Sequence, residues 1–559
     1  MPRYRWIEPA GTCGNDLAEL GLIGEILFTR GVMSRTEATG ILNHDFSAIP
    51  DPATLPDVDI AADRIRTAIS LSQPIGVFGD YDVDGVTSTA LLVKGLSDLG
   101  GNVRAYLPHR ERDGYGLNTS AIDQAVQDGR RLLITVDCGA SDRRELEYAR
   151  ERGLETIVID HHYVADVNIP CAAFVSARRP DSLHPFAEYA AVGVAWQLMR
   201  RLAGDDEMVR YLPLVALGTV ADVVPLWGPN RAIVHHGLAQ FEEHAGHGLL
   251  ALAEISGVKP GAMRSHHFGF LLGPRINAAG RIDDPQAALE LLLTDSPARA
   301  EELARRLNDL NRHRQELLDE FVTEARMFVE SDGAEDRPVL VVRSPDWRIG
   351  LVGLIASRLT EFYGRPVFAL EQGAPFSRGS ARSIDEFNVV EALHRCSDLL
   401  EKFGGHSKAA GLTIETNRLD EFSERINDVF VDEVGTRPPP PSLTLDAELA
   451  PEFVSLDQVE ELAHLEPCGH GNPPPRFLMR ALPVFDARRS RDQSHLLFNV
   501  ASSNGAPLRA VAFSAGDRLV ELHDMSKVDL AVSLRPNTFR GRTSVTLEVV
   551  DFRPAGGEG

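Results

Sequence analysis

The sequence predicts an α/β protein: a parallel-sheet lobe, a long connecting helix, a second and smaller α/β lobe, and a C-terminal β-barrel. Three observations lead to this prediction. Short apolar runs alternate with amphipathic stretches between residues 73 and 160, as strands buried on both faces of a parallel sheet do. Residues 298–331 contain neither Gly nor Pro. The segments after residue 490 alternate apolar and polar side chains, which is typical of half-buried antiparallel strands.

Length and composition set limits on what the chain does. Its 559 residues are enough for two to four domains, and 43% hydrophobic with 25% charged residues is ordinary globular composition. Five cysteines without a C-x-x-C pair exclude a disulfide scaffold and a zinc ribbon. The sequence shows no apolar run of membrane-spanning length and no signal peptide, so we expect a cytoplasmic protein. The net charge of −24 argues against non-specific coating of nucleic acid, but not against a nucleic-acid enzyme.

Five segments make up the predicted chain. Changes in pattern and Pro-rich stretches place their boundaries. The boundaries are 1–60 for an N-terminal lead-in segment, 61–295 for the first lobe, 296–331 for the connecting helix, 332–437 for the second lobe and 438–559 for the β-domain.

The first lobe is predicted from its strand and helix signals. The apolar runs 74–80, 131–139 and 155–160 are strands, and the amphipathic stretches 86–100 and 141–153 are the helices between them. In a parallel sheet of this kind, functional residues belong at the carboxyl ends of the strands.

The connecting helix begins after Ser296-Pro297, a cap followed by a first-turn proline. Its near-heptad apolar spacing allows a self-associating coiled coil, but the run is short for that, and a spacer between two lobes fits better. The second lobe follows, with strands at 337–344 and 365–370 around a helix at 350–364.

The last segment begins at a Pro run, Pro438 to Pro441, which predicts a linker. Three alternating stretches then predict the antiparallel β-domain, at residues 495–502, 508–514 and 544–552. Between residues 472 and 543, eleven Lys and Arg stand against six Asp and Glu, so this segment is locally basic on an acidic chain.

The strongest chemical signal is Gly79-Asp80-Tyr81-Asp82-Val83-Asp84-Gly85, directly after a predicted buried strand. Three carboxylates at alternate positions are costly to bring together without a cation, and hard divalent metals prefer oxygen ligands. An EF-hand calcium loop does not fit, because its twelfth position is Leu91 instead of Glu. The simpler alternative is an acidic turn that caps the next helix.

Three further acidic or imidazole sites lie in the same context. Asp137 ends one predicted strand, Asp160-His161-His162 ends the next, and Asp222 lies in an apolar segment where an unpaired charge would be expensive. Carboxylates with one or two imidazoles suit Mn²⁺ or Mg²⁺ better than zinc. There are enough ligands for two metals, the arrangement that activates water against a phosphodiester.

These motifs, in this order and spacing, resemble those of the DHH phosphoesterase superfamily. The residues are GDYDVDG (79–85), VDCG (136–139), DHH (160–162) and GTVADVVPL (218–226), followed by LGPRINAAGR (272–281), GSARS (379–383) and KFGGHSKAAG (402–411). With the C-terminal β-domain, the arrangement is similar to the single-strand-specific 5′→3′ exonuclease branch of the superfamily, whose C-terminal domain is OB-like. The resemblance covers roughly residues 65–555.

The resemblance implies roles for individual residues. The metal ligands would be Asp80, Asp82, Asp84, Asp137, His161 and Asp222, with Asp137 bridging two divalent cations, Mn²⁺ or Mg²⁺. His162 would lie near the scissile phosphate, so the catalytic set is Asp137, His161 and His162.

The resemblance also implies a set of residues that grip the DNA backbone or its 5′ end: Arg275, Asn277, Arg281, Ser380, Arg382 and His406. For Arg110 and Tyr115 a substrate-channel role competes with a plain surface turn. Gly404 and Gly405 have a simple interpretation as a helix C-cap. The chain departs from the family pattern at four places, none of which is an expected metal ligand: Val175-Ser176-Ala177, Ala191, Arg348 and Ala381.

Three functions remain to be compared. The first is a two-metal exonuclease that releases 5′-mononucleotides from single-stranded DNA in repair and recombination. The second is a DHH phosphodiesterase of nanoRNA, phosphoadenosine phosphate or cyclic dinucleotides, whose relatives generally resemble only the two lobes. The third is a non-catalytic scaffold, which would require lost ligands. The family further implies a monomer with a single-strand-binding protein and a RecQ-type helicase as partners, and no membrane.

Overall fold

The computed structural model describes residues 3–9, 11, 15–164, 166–331, 333, 336–502, 507–539 and 542–556. The strands are β1 Arg5–Ile7, β2 Ile75–Gly79, β3 Val103–Tyr106, β4 Leu132–Val136, β5 Glu155–Ile159, β6 Ala173–Val175, β7 Leu340–Ser344, β8 Val367–Glu371, β9 Phe376–Arg382, β10 Leu400–His406, β11 Ala409–Glu415, β12 Ser442–Thr444, β13 Ala447–Glu448, β14 Phe477–Leu482, β15 Val484–Arg489, β16 Leu496–Val500, β17 Leu508–Ala512, β18 Val528–Phe539 and β19 Arg542–Pro554.

The α-helices are α1 Asn15–Ala18, α2 Gly21–Thr29, α3 Arg35–Leu42, α4 Val58–Ser70, α5 Val83–Asp98, α6 Thr119–Gln127, α7 Arg143–Glu151, α8 Ala191–Ala203, α9 Asp205–Met208, α10 Leu212–Ala221, α11 Gly228–Ala239, α12 Phe241–His244, α13 Gly246–Ile255, α14 Ser265–His267, α15 Gly273–Ile282, α16 Gln286–Leu293, α17 Pro297–Ser331, α18 Ile349–Tyr363, α19 Val389–Arg395, α20 Leu419–Glu433, α21 Leu456–Leu462 and α22 Leu519–His523. A π-helical turn, Phe268–Leu272, leads into α15.

Two compact units make up the chain. The larger unit contains His44–Pro438 and Gly469–Asn472, and the smaller unit contains Met1–Asn43, Pro439–Cys468 and Pro473–Gly559. The five-part division expected from the sequence stays a prediction.

A five-stranded parallel sheet, ordered β3-β2-β4-β5-β6, is the centre of the first lobe. It confirms the strands predicted at 74–80, 131–139 and 155–160. Neighbouring residues of one strand enter different cores, since Val77 packs in one cluster and Phe78 in another on the opposite face. Burial on both faces explains why these strands are continuous apolar runs in the sequence.

The second lobe of the larger unit is a mixed sheet, β10-β11-β9-β8-β7, in which only β7 and β8 are parallel. The 35-residue helix α17 precedes it and packs Leu318 and Phe321 against α18. The predicted connecting helix is therefore present with nearly the expected bounds. The helix C-cap interpretation of Gly404 and Gly405 is wrong, because both pair with β11 in a strand ladder.

The smaller unit is built on a seven-stranded sheet, β13-β14-β18-β19-β17-β16-β15, which is antiparallel except at two pairs. The three predicted alternating stretches correspond to β16, β17 and β19. The inward residues, such as Phe498 and Ala510, are buried, while Arg509 on the other face is exposed. This confirms the predicted C-terminal β-domain.

The N-terminal residues belong to this same unit, which the sequence did not indicate. Strand β1 runs parallel to β12, with Arg5 opposite Ser442. Helix α2 buries Ile26 and Leu27 in the core of the seven-stranded sheet. Burial of each side chain stabilises the fold by roughly 1.5–3 kcal/mol. The first 43 residues therefore help to form the core of the C-terminal sheet.

Candidate functional site

The carboxyl edge of the parallel sheet gathers the acidic motifs of the first lobe. Asp80 follows β2, Asp137 follows β4 and Asp160 follows β5, and these three strands are direct neighbours. All three carboxylates are buried. The sheet topology therefore brings together motifs that lie up to 80 residues apart.

The loop after β2 turns directly into helix α5. Asp82 caps that helix by accepting a hydrogen bond from the Gly85 N–H at 3.1 Å. A Cβ at Gly85 would lie 2.4 Å from the Asp80 carbonyl oxygen, so the turn requires glycine there. The helix-capping alternative is thus correct for Asp82, but it accounts for only one carboxylate of the motif.

Asp84 is held by the start of helix α8. Its two carboxylate oxygens accept hydrogen bonds from the Ala191 N–H at 2.6 Å and the Val192 N–H at 2.8 Å. Backbone groups hold the carboxylate, so the departure from the family pattern at Ala191 leaves its orientation intact. Burial, followed by the charge of Asp82, raises the pKa of Asp84 to about 7.

Two of the acidic positions involve strained backbone. Asp137 has φ +62°, and Val223, directly after Asp222, has φ +61°. A left-handed conformation is uncommon for non-glycine residues, and for a β-branched valine it is a genuine outlier. Such strain persists where the surrounding structure fixes it, most often at functional sites.

His161 lies among these carboxylates. Its Nε2 is 3.3 Å from Asp137 Oδ1, and its Nδ1 is 3.5 Å from Asp222 Oδ2. With its hydrogen on Nδ1, the ring donates to the Tyr189 carbonyl at 3.2 Å, which leaves the Nε2 lone pair for a metal. Burial, followed by the charge of His162, lowers the pKa of His161 to about 4, so the ring is in the neutral form that binds metals.

Asp160 orients His162, a role that the sequence did not reveal. One of its oxygens accepts from the His161 N–H at 2.8 Å and the His162 N–H at 3.1 Å, and lies 2.7 Å from His162 Nδ1. The other accepts from the Ala140 N–H at 3.1 Å. Against the effect of burial, the hydrogen bond between them raises the pKa of His162 and lowers that of Asp160. Asp160 thereby orients the His162 ring beside Asp137.

Three overlapping groups have the geometry to hold metal ions. Within each group, the candidate ligand atoms lie within 4.8 Å of one another. The groups are Asp80, Asp82 and Asp137; Asp137, His161 and His162; and Asp84, His161 and Asp222. Asp137 and His161 each belong to two groups, so the three form one continuous centre, as bridging ligands between two metals would require.

The chemistry of these groups fits divalent cations. Burial, followed by the neighbouring carboxylates, raises the pKa of Asp80, Asp137 and Asp222 well above the ordinary value. Asp80 Oδ1 and Asp222 Oδ2 are buried without a hydrogen-bond partner. Unsatisfied and mutually repelling carboxylates are costly alone and are stabilised by a cation. Which side chains ligate which metal stays a prediction.

A positively charged cluster forms where the two lobes of the larger unit meet. The guanidinium of Arg110 lies 4.0 Å from the ring centre of Tyr81, a residue of the acidic motif. Burial, followed by the charges of Arg110, Arg314 and Arg382, lowers the pKa of Arg281 to about 9. Arg314, on α17, was not expected from the sequence. Asp82 offsets this lowering of the pKa only in part, and clustered guanidinium groups are suited to bind a phosphate.

The second lobe supplies Ser380, Arg382 and His406 to the same region. Arg382 donates to Ser380 Oγ at 2.8 Å, and a Cβ at Gly353 of α18 would lie 3.1 Å from Arg382 Nη2. His406, Ala409 and Arg382 pair across three adjacent strands, which places His406 in the same row as Arg382. Arg348 is the N-cap residue of α18.

The other expected substrate residues differ in what they contact. The Tyr115 hydroxyl donates to the Asp137 carbonyl at 3.3 Å and lies 3.4 Å from His162 Nδ1, so it lies at the metal centre. Arg275 instead donates to Asn308 and to the Leu271 carbonyl, which are both protein groups. Asn277 is half-buried on α15. Substrate roles for all of these residues stay predictions.

Three family models match the chain. The DHH family N-terminal domain matches residues 74–219, the DHHA1 domain matches residues 336–432 and the RecJ OB domain matches residues 445–551. These matches confirm the fold class, including the OB assignment of the seven-stranded sheet.

Curated relatives match over most of the chain, and all three compared here are named single-stranded-DNA-specific exonuclease RecJ. The protein from Bacillus subtilis is 33% identical over 95% of this chain and 67% of its own length. The protein from Thermus thermophilus is 36% identical over 88% of this chain and 70% of its own length. That from Dickeya dadantii is 34% identical over 95% and 96%.

Solved structures agree with the sequence relatives. RecJ from Thermus thermophilus in complex with Mn²⁺ matches with a TM-score of 0.84 and 32% identity, over 99% of this chain and 80% of that one. The complex of the same protein with Mg²⁺ matches with a TM-score of 0.78 and 30% identity, over 99% and 79%. Among the described residues, no helix is long and apolar enough to cross a membrane.

Proposed function

Because the chain belongs to the RecJ family of single-stranded-DNA-specific exonucleases, we propose that it removes 5′-mononucleotides from single-stranded DNA in the 5′→3′ direction. It is a metal-dependent nuclease, and its cofactor is Mn²⁺ or Mg²⁺. Repair and recombination are the processes that generate such single strands.

The observation that carries this proposal is the continuous centre of carboxylates and imidazoles. Asp80, Asp82, Asp84, Asp137, His161 and Asp222 would hold two divalent cations, with Asp137 between them. When bound, such ions lower the pKa of water and neutralise charge on the phosphodiester. Asp84 and His161 keep fixed orientations because backbone groups bind them.

His162 would serve the leaving group. Its Nδ1 is bound by Asp160, which leaves Nε2 free to hydrogen-bond a phosphoryl oxygen or to donate a proton to the departing 3′ oxygen. The hydrogen bond that His162 Nδ1 donates to Asp160 orients the ring and favours its protonated form, as a carboxylate does for a catalytic imidazole.

The arginine cluster would bind the 5′ end and set the direction of degradation. Arg110, Arg281 and Arg382 converge with Ser380 beside the acidic motif. A terminal phosphate would supply negative charge to these guanidinium groups. His406 follows in the same row of the sheet. A strand held by its 5′ phosphate can present only its first phosphodiester to the metals.

The smaller unit would bind the rest of the strand. Arg488 pairs with Leu497 and Arg509 with Asn499 across β15, β16 and β17, which places both arginines on the exposed face of the sheet. Phe513 also lies exposed, just beyond β17. Basic and aromatic side chains on one surface suit single strands of any sequence. Arg540 and Gly541 of the basic turn after β18 lie outside the described residues.

The family further implies that the protein acts as a cytoplasmic monomer with a single-strand-binding protein and a RecQ-type helicase. The same resemblance supports the five-part division at residues 60, 295, 331 and 437 as a proposal about domains.

The decisive experiment uses one oligonucleotide labelled at its 5′ or 3′ end, in Mn²⁺ or Mg²⁺. We expect 5′ label to leave at once as mononucleotide, while 3′ label shortens stepwise, and we expect duplex DNA to persist. Release from the 3′ end first would overturn the polarity. If only dinucleotides, cyclic dinucleotides or phosphoadenosine phosphate were hydrolysed, the small-substrate alternative would be correct.

A further inference from the structure

Phe270 has the highest exposed fraction of the Phe, Tyr and Trp side chains among the described residues of the larger unit. It leaves 79% of its surface accessible, whereas its neighbours Phe268 and Leu272 are completely buried. It makes no ring contact within the described part of the chain. The core therefore does not explain why a phenyl ring occurs at this position.

The backbone that carries Phe270 is unusual and firmly held. The residue lies in the π-helical turn Phe268–Leu272 between α14 and α15. Such turns are rare and are frequently found at functional sites. Arg275 donates from Nη1 to the Leu271 carbonyl at 2.8 Å and from Nε to Asn308 of α17 at 3.1 Å. These hydrogen bonds connect the turn to the long helix and hold the backbone on which Phe270 lies.

The same turn packs against the C-terminal end of α10, which Asp222 directly follows. A Cβ at Gly269 would lie 3.6 Å from Val220 Cγ1, and one at Gly273 would lie 3.5 Å from the Ala221 Cβ. Two residues further along from Ala221, Val223 has φ +61° and leaves 61% of its surface exposed. The turn that carries Phe270 thus contacts the end of the helix that leads into Asp222 and the exposed Val223.

We propose that Phe270 stacks on a nucleobase of the bound single strand, with Val223 as an apolar neighbour. The proposal rests on the proposed function, which supplies the DNA. Its occupant follows from what flanks the turn: the turn contacts the helix end that precedes Asp222, and α15 continues from it to Arg281, which would hold a phosphate, so a strand bound between them would bring a base to the exposed ring. Stacking also tolerates any sequence, because every base has a π-face.

The test combines a protein variant with a missing base. In the full-length protein with Mn²⁺, Phe270→Ala lowers kcat/KM about tenfold on single-stranded DNA, mainly through KM, because one stacked base is lost. Phe270→Tyr retains the rate. The matched control is Phe362→Ala, since Phe362 is 59% exposed at the far end of α18 beneath Arg326.

An abasic residue is then moved one position at a time from the 5′ end. At one abasic position, kcat/KM of the wild type falls to the value of Phe270→Ala, and the substitution lowers kcat/KM no further on that strand. The proposal is overturned if Phe270→Ala matches the wild type on intact strands. It is equally overturned if the loss is the same for every abasic position, because that result means a structural role. Failure of the proposed function is recognised separately, as a wild-type protein that leaves single strands intact.

Discussion

The two units contain buried aspartates in opposite surroundings. In the smaller unit, Asp551 lies 2.7 Å from Arg518, and Asp446 lies 2.8 Å from Arg30. In the larger unit, Asp84 and Asp137 are buried and Asp222 is half-buried beside them, and the described ion pairs of these three involve only His161. A buried carboxylate paired with a cation leaves an uncompensated charge when one partner is removed, whereas buried carboxylates that repel one another are stabilised by a bound cation. The difference separates structural carboxylates from functional ones.

The largest expected effect is the loss of hydrolysis in Asp137→Ala. Removing the ligand shared by two metal groups lowers the rate by roughly a thousandfold or more, because several kcal/mol of charge stabilisation disappear. The free energy of unfolding in chelator should stay unchanged or rise, since a repelled buried carboxylate is removed. Asp123→Ala, at a half-buried site on α6 where the carboxylate pairs with Arg152, is the control for activity. Substantial turnover by Asp137→Ala would refute the shared-ligand assignment.

Asp551→Ala should show the reverse behaviour. Arg518 would lose a partner 2.7 Å away and Trp6 Nε1 an acceptor at 2.9 Å, so we expect about 3 kcal/mol lower stability of the smaller unit. Urea unfolding measures the loss, and hydrolysis of very short oligonucleotides should persist. An unchanged unfolding midpoint would show that the pair contributes nothing to the fold.

Metal binding should stabilise the wild-type protein. A divalent cation at a hundred times its dissociation constant adds about 2.7 kcal/mol to a folded state that alone binds it. Thermal unfolding with chelator and then with Mn²⁺ should therefore show a higher midpoint with metal. Asp137→Ala should lose most of that increase, while Asp551→Ala should retain it. Equal increases in all three proteins would mean that the ion binds elsewhere.

Asp160→Asn tests a carboxylate that orients another residue. The asparagine keeps the shape but weakens the hold on His162 Nδ1, and we expect kcat to fall roughly 10- to 100-fold with metal affinity nearly unchanged. Calorimetric titration with Mn²⁺ separates the two quantities. Loss of a metal in this variant would mean that Asp160 or His162 is itself a ligand.

The smallest effect is expected on the sheet face of the smaller unit. Arg488→Ala with Arg509→Ala should lower the slope of log affinity against log salt for long strands by about one per contact. Very short oligonucleotides should be cleaved as before. Arg395→Ala, whose guanidinium is paired with Asp432 and Glu433, is the control. An unchanged salt dependence would show that this face does not bind DNA.

Much of the metal centre was predictable from the sequence because its residues follow strands. Asp80 and Asp137 end apolar runs, and parallel strands bring their carboxyl ends to one edge. The pairing of Asp160 with His162 was not predictable, since three adjacent polar residues do not reveal which side chain binds which. Arg275 was expected at the substrate, yet it binds Leu271 and Asn308, because a guanidinium takes the acceptors that its neighbours present.

The alternation of strands and helices, the long helix α17 and the acidic motifs are predictable from the amino-acid sequence, because hydrophobic periodicity and motif spacing are local properties. Three features are visible only in the folded chain: the pairing of β1 with β12, the π-helical turn that carries Phe270, and the convergence of arginines from two lobes. Those features depend on contacts between residues far apart in the chain. No local pattern specifies them, since they form only when the packing of whole elements brings the side chains together.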